Sequence, residues 1–370
     1  MGRTVVAVDL GSSGVRAVQF TARRGHLTAQ KAGWTPLPDG AIVNGEIVDP
    51  ATVVAALKTL WQQHKFSTKQ VAFAVANNEV LVRQMDLDWA EPAAFRKALR
   101  FHVDEALGLD IDTLNLDYHV LAETDETVGD TTVRKSSILL VAATTTMVDK
   151  FVAVFRDAGL LPVHADLLPF ALVRAAGTAG PETTEAVVEI RSDITTVVIH
   201  SSGQPKFVRI IAEQGGNNIT DALLEHFGGD RADAEKAKAA LGLSSHIATD
   251  TDFDDSAFAV ATAAEPTEEH PAQAVITAAA ANLIAEIRDS IAYYLSENPD
   301  VETLARVVLS GGGSRLKGLT GRLANELRLP VEIADPFAGV TLGKDVTANL
   351  AGLDEQQLTV AVGLALGEPR

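Results

Sequence analysis

Two distant stretches of this chain are written to one plan. Thr4–Leu10 is a short apolar run that meets a tight turn at Gly11–Gly14 and returns through Val15–Ala22 and Lys31–Thr35. Ala186–Ile190 does the same, returning through Thr195–His200 and, after Ser202-Gly203, through Phe207–Ile211. β-Branched runs broken by glycine and small polar residues read as meanders of strands. A doubled meander predicts two related lobes whose turns face one cleft. The length of 370 residues, more than one core usually serves, agrees with that division.

Between the meanders, Asp49-Pro50 pairs an N-cap with a proline at the first helical position, opening a helix to about His64. Val71–Ala76 reads as a buried strand. From about 77 to 137 the pattern changes to a strand at Val80–Met85, a helix over Pro92–Leu107 with Phe95, Leu99, Val103 and Leu107 in register, and a strand at Leu114–Leu121. This is a small α+β insert. Ser137–Ala143 resumes an apolar strand, followed by a helix near Met147–Ala158 and a strand leading to Asp166. The polar break Gly177–Thr184 marks a boundary. Beyond the second meander, helices are predicted at Asn218–Phe227, Arg231–Ala240 and Ala274–Glu297, with an acidic loop over His246–Gln273 and a buried strand at Arg306–Ser310. The expected division is a first lobe over residues 1–176 carrying the insert at about 77–137, a second lobe over 182–350, and a C-terminal helix within 355–370 packing back on the first lobe.

Several function classes are disfavoured. The net charge of −18 is spread along the chain, so no broad basic face is expected for nucleic acid or anionic lipid. Without cysteine there is no disulfide, thiolate metal site or cysteine nucleophile, and the nine histidines show no ligand spacing. The first strand is too short, and too acidic at its end, for a signal peptide, so no targeting segment is expected. The most apolar stretch, Ala274–Ile287, is interrupted by Asn282 and Glu286 and predicts no direct membrane insertion.

The turns carry the chemistry. In Asp9-Leu10-Gly11-Ser12-Ser13-Gly14-Val15-Arg16, the glycines let backbone N–H groups approach an anion and the serines add hydroxyl donors. A carboxylate at the end of a buried strand is costly unless a cation meets it, and hydrated Mg²⁺ at Asp9 is the natural one. Arg16 is long enough to reach terminal phosphates. An ordinary hairpin with a turn aspartate is the alternative for this turn taken alone. Gly311-Gly312-Gly313, between a buried strand and Arg315, permit a base or ribose to lie against the backbone. Gly215-Gly216-Asn217 precede a helix whose first amides could face phosphate, or whose asparagine is simply its N-cap. Glu235 and Lys238 stand at i and i+3, by default a solvated ion pair.

The set resembles the superfamily of actin, the heat-shock chaperone ATPases and the sugar kinases. Asp9, Gly11 and Arg16 match the first phosphate motif, Gly311–Gly313 the adenosine motif, and His164–Asp166 with Leu168–Leu172 the connecting segment. Within it the chain resembles the PilM family of type IV pilus assembly, itself similar to the division protein FtsA. The likeness covers nearly the whole chain, including Val6–Val18, Gly215–Leu223, Glu286–Tyr294, Leu309–Leu319 and Val360–Leu366. It implies an α/β, actin-like ATPase (ribonuclease H-like, duplicated) fold of two lobes, the insert replacing one actin subdomain. The implied cofactors are ATP and Mg, with Asp9 holding the metal through water and Glu235 and Lys238 contacting ribose and adenine. The implied partner is a PilN-like bitopic membrane protein whose short cytoplasmic peptide lies in a groove beside the insert. That partner would keep the chain cytoplasmic at the inner face of the plasma membrane. Pilus motor ATPases and self-association stay open as further contacts.

One departure matters. The second phosphate turn of the family has aspartate, then glycine two residues later. Here it reads Glu189-Ile190-Arg191-Ser192-Asp193. Either Arg191 pairs with the terminal phosphates, giving tight binding and slow turnover, or it fills the site and leaves a scaffold. Impaired hydrolysis is the expectation, since phosphoryl transfer rests on positioning. The catalytic candidates are Asp9, Glu189 and Asp166. Two other readings share the fold. An FtsA-like filament protein would end in an amphipathic membrane helix, which Gly367–Arg370 does not supply. A small-molecule kinase would need an aspartate base in the cleft, for which Asp166 is the only candidate.

Overall fold

Both meanders are present, and each is the antiparallel half of a five-strand plan. The computed structural model describes residues 3–23, 26–77, 79–107, 110–128, 131–177, 180, 183–244, 270–344, 346 and 354–367. In chain order the first lobe contains β1 (Arg3–Gly11), β2 (Gly14–Arg23), β3 (His26–Pro36), a small hairpin of β4 (Ile42–Val43) and β5 (Glu46–Ile47), α1 (Pro50–His64) and β6 (Gln70–Val75). The insert follows as β7 (Val80–Asp88), α2 (Pro92–Leu107), β8 (Leu114–Val128) and β9 (Thr131–Thr144). After α3 (Thr145–Asp157), β10 (Leu161–Leu167) and α4 (Leu168–Ala176) complete this part. The second lobe is β11 (Thr184–Ile190), β12 (Ile194–Ser201), β13 (Gln204–Ala212), α5 (Gly216–Phe227), α6 (Arg231–Leu241), α7 (Pro271–Glu297), β14 (Val307–Ser310), α8 (Leu319–Leu327) and β15 (Val331–Ile333). A short β16 (Thr341–Leu342) and α9 (Thr359–Gly367) follow.

The first sheet runs β3-β2-β1-β6-β10, with β16 added beside β3, and the second runs β13-β12-β11-β14-β15. In each, three antiparallel strands are followed by two parallel ones. The central strands are apolar on both faces, as strands covered on both sides must be. Val6, Val8 and Leu10 enter a core under α1 and α3, while Ala7 points the other way. Ala186, Val188 and Ile190 likewise enter a core with α5, α7 and α8, while Val187 points the other way. The two inward faces meet in one shared core built around α4 and α9.

These two helices exchange allegiance. α4 follows the first lobe but packs on β11, β12 and β13, whereas α9 follows the second lobe and packs on β1, β2 and β6. They cross where a Cβ on Gly363 would lie 1.8 Å from the Ala171 carbonyl oxygen, a distance only glycine permits. Arg174 fastens the crossing: its Nε donates to the Gly363 carbonyl at 2.8 Å, and Nη2 pairs with Asp166.

Local signals were accurate where chemistry is local. Asp49 caps α1, accepting from the Thr52 N–H at 3.1 Å and from the Thr52 hydroxyl at 2.6 Å. Elsewhere the structure extends the expectation. The insert hairpin β8–β9 is far longer than Leu114–Leu121 and Ser137–Ala143, because its outer half is polar and shows no apolar alternation. α5 starts at Gly216 rather than Asn218, and α7 starts at Pro271 rather than Ala274, with the His270 Nδ1 accepting from the Ala272 N–H. Most of the expected acidic loop (245–269) and parts of the 177–184 break lie outside the described residues. Among the described residues no helix is long and apolar enough to cross a membrane.

The crossing yields a stability test. Gly363→Ala is expected to destabilise the fold by about 3 kcal/mol through overpacking against backbone. Gly321→Ala, in open space on α8, should instead stabilise by about 1 kcal/mol through helix propensity. Urea unfolding midpoints of the two variants read the difference.

Candidate functional site

The cleft between the sheets is a cavity of about 440 Å³, of the size that holds small ligands. Strand register explains how it is made. Gly11 pairs with Gly14 across the first turn, and the Arg191 N–H bonds the Ile194 carbonyl at 2.9 Å across the second. Each turn therefore has a two-residue tip, Ser12-Ser13 and Ser192-Asp193. Glu189 holds the place of Asp9, and Arg191 that of Gly11.

Of the residues singled out from sequence, Asp9, Gly11, Ser12, Ser13, Arg16, Glu189, Arg191, Gly216, Asn217, Glu235, Lys238, Gly311, Gly312, Gly313 and Arg315 line this cleft. Gly215 stands behind it, packed on the Arg191 and Ser192 carbonyls. Asp166 lies outside it. Its carboxylate pairs with Arg174 and accepts from the Leu167 N–H at 2.7 Å. Burial alone would raise its pKa, but His164, Arg174 and that N–H outweigh burial and hold it below the usual carboxylate range. A group so engaged is not free to act as a general base, so Asp166 does not serve the kinase reading.

The α5 amides are also spent differently than expected. Gly216 N–H donates to the Arg191 carbonyl at 2.8 Å and Asn217 N–H to the Ser192 carbonyl at 2.6 Å. The helix start thus braces the second turn instead of presenting those donors to an anion. The N-cap asparagine is neither Asn217 nor a cap in the ordinary sense; Asn218 reaches back, its Oδ1 accepting from the Gly215 N–H at 2.8 Å. Glu235 and Lys238 are more than a solvated pair. Lys238 Nζ donates to the Gly216 carbonyl (2.9 Å), the Thr220 hydroxyl (2.7 Å) and Glu235 (2.9 Å), tying α6 to α5 beside the cleft.

The phosphate end of the cleft is dominated by Arg191. Its Nη2 lies 2.9 and 3.1 Å from the two Asp9 carboxylate oxygens and 3.2 Å from the Leu10 carbonyl. A Cβ on Gly11 would fall 2.4 Å from that nitrogen, so the guanidinium lies flush against the first turn. Its Nη1 is 3.9 Å from Glu189 Oε2, near enough to attract but too far to hydrogen-bond. Glu189 Oε2 is buried with no hydrogen bond among the described residues. Burial is the main force raising the Glu189 pKa to about 7, with Asp9 adding to it and Arg191 and Arg16 opposing. Burial pulls Arg191 down, but Asp9 and Glu189 more than offset it.

Arg16 is held at all three of its nitrogens. Its Nε donates to Gln357 Oε1 (3.0 Å), Nη1 to the Gly14 carbonyl (3.3 Å) and Nη2 to the Ser13 hydroxyl (2.9 Å). Ser12 donates to Asp193 Oδ1 at 2.8 Å, while Asp193 Oδ2 accepts the Asn44 N–H at 2.6 Å. Asp193 and Gln357 were not predicted. Asp193 stood in the quoted turn with no partner visible in sequence, and Gln357 carries no motif at all. On the other side, Gly311 has φ +77, and a Cβ there would lie 2.4 Å from the Ile190 carbonyl, so this loop presents bare backbone to the cleft.

The base and sugar end therefore fits a nucleotide: open glycine backbone, Arg315, Glu235 and Lys238 around free volume. The magnesium expected at Asp9 does not fit. Both Asp9 oxygens already face a guanidinium. The guanidinium offsets the carboxylate's charge, so the pair offers a divalent ion no net attraction. Among the described residues no group of three or more acidic or histidine ligands exists to compensate.

Glu189 supplies a pH test. Its folded pKa lies above its ordinary value, so its contribution to stability is complete below about 4.5 and is lost as pH rises through about 7. Glu189→Gln should remove that slope, leaving a protein that melts higher than the parent at pH 8 and no higher at pH 5. Thermal melts of both proteins across that range decide it.

Comparison with known proteins bears on the family and the fold. A family model described as "Type IV pilus assembly protein PilM" matches residues 7–251 and 257–368. Among solved structures, a PilM-PilN type IV pilus biogenesis complex is similar at 21% identity, covering 98% of this chain and 97% of that one, with a TM-score of 0.78. MreB5 of Spiroplasma citri bound to AMPPNP is similar at 13% identity, covering 99% and 96%, with a TM-score of 0.56. The ethanolamine utilization protein EutJ from Carboxydothermus hydrogenoformans is similar at 14%, covering 98% and 89%, with a TM-score of 0.53. The fold is the actin-like ATPase fold.

Proposed function

The chain belongs to the PilM family of type IV pilus assembly proteins, and from that premise we propose that it is a nucleotide-binding scaffold that does not turn ATP over. One observation carries this reading: Arg191 bridges the two turns and engages Asp9 at 2.9 Å, where hydrolysis would require a positioned metal and water. Glu189, the other acid facing that space, is buried and held in its neutral form up to about pH 7. Asp166 is committed to Arg174. With Asp9 and Glu189 both facing Arg191, we read neither turn as placed to orient an attacking water.

The residues that would hold the nucleotide fall into groups. Gly311, Gly312, Gly313 and Arg315 flank the base, Gly216, Asn217, Glu235 and Lys238 the sugar, and the first turn with Arg191 the phosphates. When bound, ATP brings a polyanion that both turns can grip, which favours the closed cleft. The output of that closure is docking. A PilN-like bitopic protein is the proposed partner, holding this chain at the cytoplasmic face of the membrane through a short peptide. Support comes from the similarity to a PilM-PilN complex and from the lack, among the described residues, of a helix able to cross a bilayer.

Gly216 offers a clean test, because a Cβ there meets nothing closer than 3.6 Å. Gly216→Leu should enter the cleft without disturbing the fold, weakening ATP binding by about tenfold or more in calorimetric titration, with the melting temperature unchanged. Phosphate release by the parent should not exceed the protein-free blank. Equal affinity in parent and variant, or sustained phosphate release by the parent, would sink the reading.

A further inference from the structure

The misfit between Asp9 and magnesium leaves a question about charge. A nucleoside triphosphate still needs positive charge at its phosphates, and the cleft must supply it. Arg16 is already held at every nitrogen, its Nε and both terminal nitrogens bonded to Gln357, Gly14 and Ser13. Lys238 is spent on Gly216, Thr220 and Glu235. Arg191 is different. Only its Nη2 is engaged, with Asp9 and Leu10, and among the described residues its Nη1 and Nε make no hydrogen bond. Its side chain is 13% exposed and lines the cleft. A guanidinium with free N–H groups, fixed between two turns, is a phosphate ligand by geometry and charge.

We propose that this cleft binds nucleoside di- or triphosphates without a divalent cation, Arg191 supplying in cis the charge that a metal ion would otherwise bring. The inference rests on the nucleotide-binding reading above. Asp9 acts here as the anchor that aims the guanidinium, and not as a ligand to a hydrated ion. The position is available because the place of Gly11 in the second turn is taken by a long cationic side chain, which a second glycine would leave open. The site thus selects the free polyanion.

The test is calorimetric titration of the full chain with ATP in excess EDTA and in excess Mg²⁺. The parent should bind in EDTA within about threefold of its affinity in Mg²⁺. Arg191→Gly, with its fold checked by thermal melting, should bind about tenfold or more weakly in EDTA and recover with Mg²⁺. Asp9→Asn should retain or gain affinity in EDTA, since it removes the carboxylate that competes with phosphate for Arg191. A metal ligand would behave oppositely. Parent binding that needs Mg²⁺ overturns this inference and leaves the nucleotide reading standing. Absence of binding in both buffers overturns both.

Discussion

The structure depends on how closely two backbones approach at Ala171 and Gly363. Among the described residues α4 and α9 lie between the two inward sheet faces, α4 reaching β11, β12 and β13 while keeping contact with β6 and β10, and α9 crossing to β1, β2 and β6. A side chain at residue 363 would force them apart and open the shared core of alanines, valines and leucines that both sheets use. The cleft sits at the far edge of that same pair of sheets. There the two turns come within reach of each other's side chains.

Within that frame, electrostatics decides what the turns can do. Strand register puts Glu189 where Asp9 stands in the first lobe and Arg191 where Gly11 stands. The doubled scaffold is symmetrical, but its chemistry is not. A long cation placed in one turn finds the carboxylate of the other, and Asp193 in the second turn takes the hydroxyl of Ser12 in the first. These two bonds cross the cleft using only protein groups. Lobe contact is built into the resting charge pattern, and a bound anion reinforces it.

Much of this was readable in the sequence. The repeat gave two lobes because β-branched runs and polar turns are local signals, and the glycine clusters marked the cleft because bare backbone is rare beside buried strands. Asp49 was legible as a cap for the same reason. The less legible parts depend on long-range partners. Gln357 binds Arg16 from the far end of the chain, and nothing near it in sequence hints at that role. The α5 amides looked available until the second turn folded back upon them. The outer half of the insert hairpin pairs through backbone and polar contacts such as Arg134 with Glu123, side chains that carry no strand period. Arg191 was visible as an anomaly, but its bond to Asp9 required the two turns to be brought together.

The exchange of helices between lobes also bears on how the chain is made. β1 emerges from the ribosome first, yet the helix that covers its inner face is assembled from residues 359–367. Until those residues are free, the first sheet exposes Ala7, Val18 and Phe20 to solvent or to a chaperone. Vectorial folding can complete the outer cores lobe by lobe, but the central one closes only once residues 359–367 have reached β1, β2 and β6. The second lobe meets its inner helix, α4, as soon as its own strands form, whereas the first lobe waits for α9.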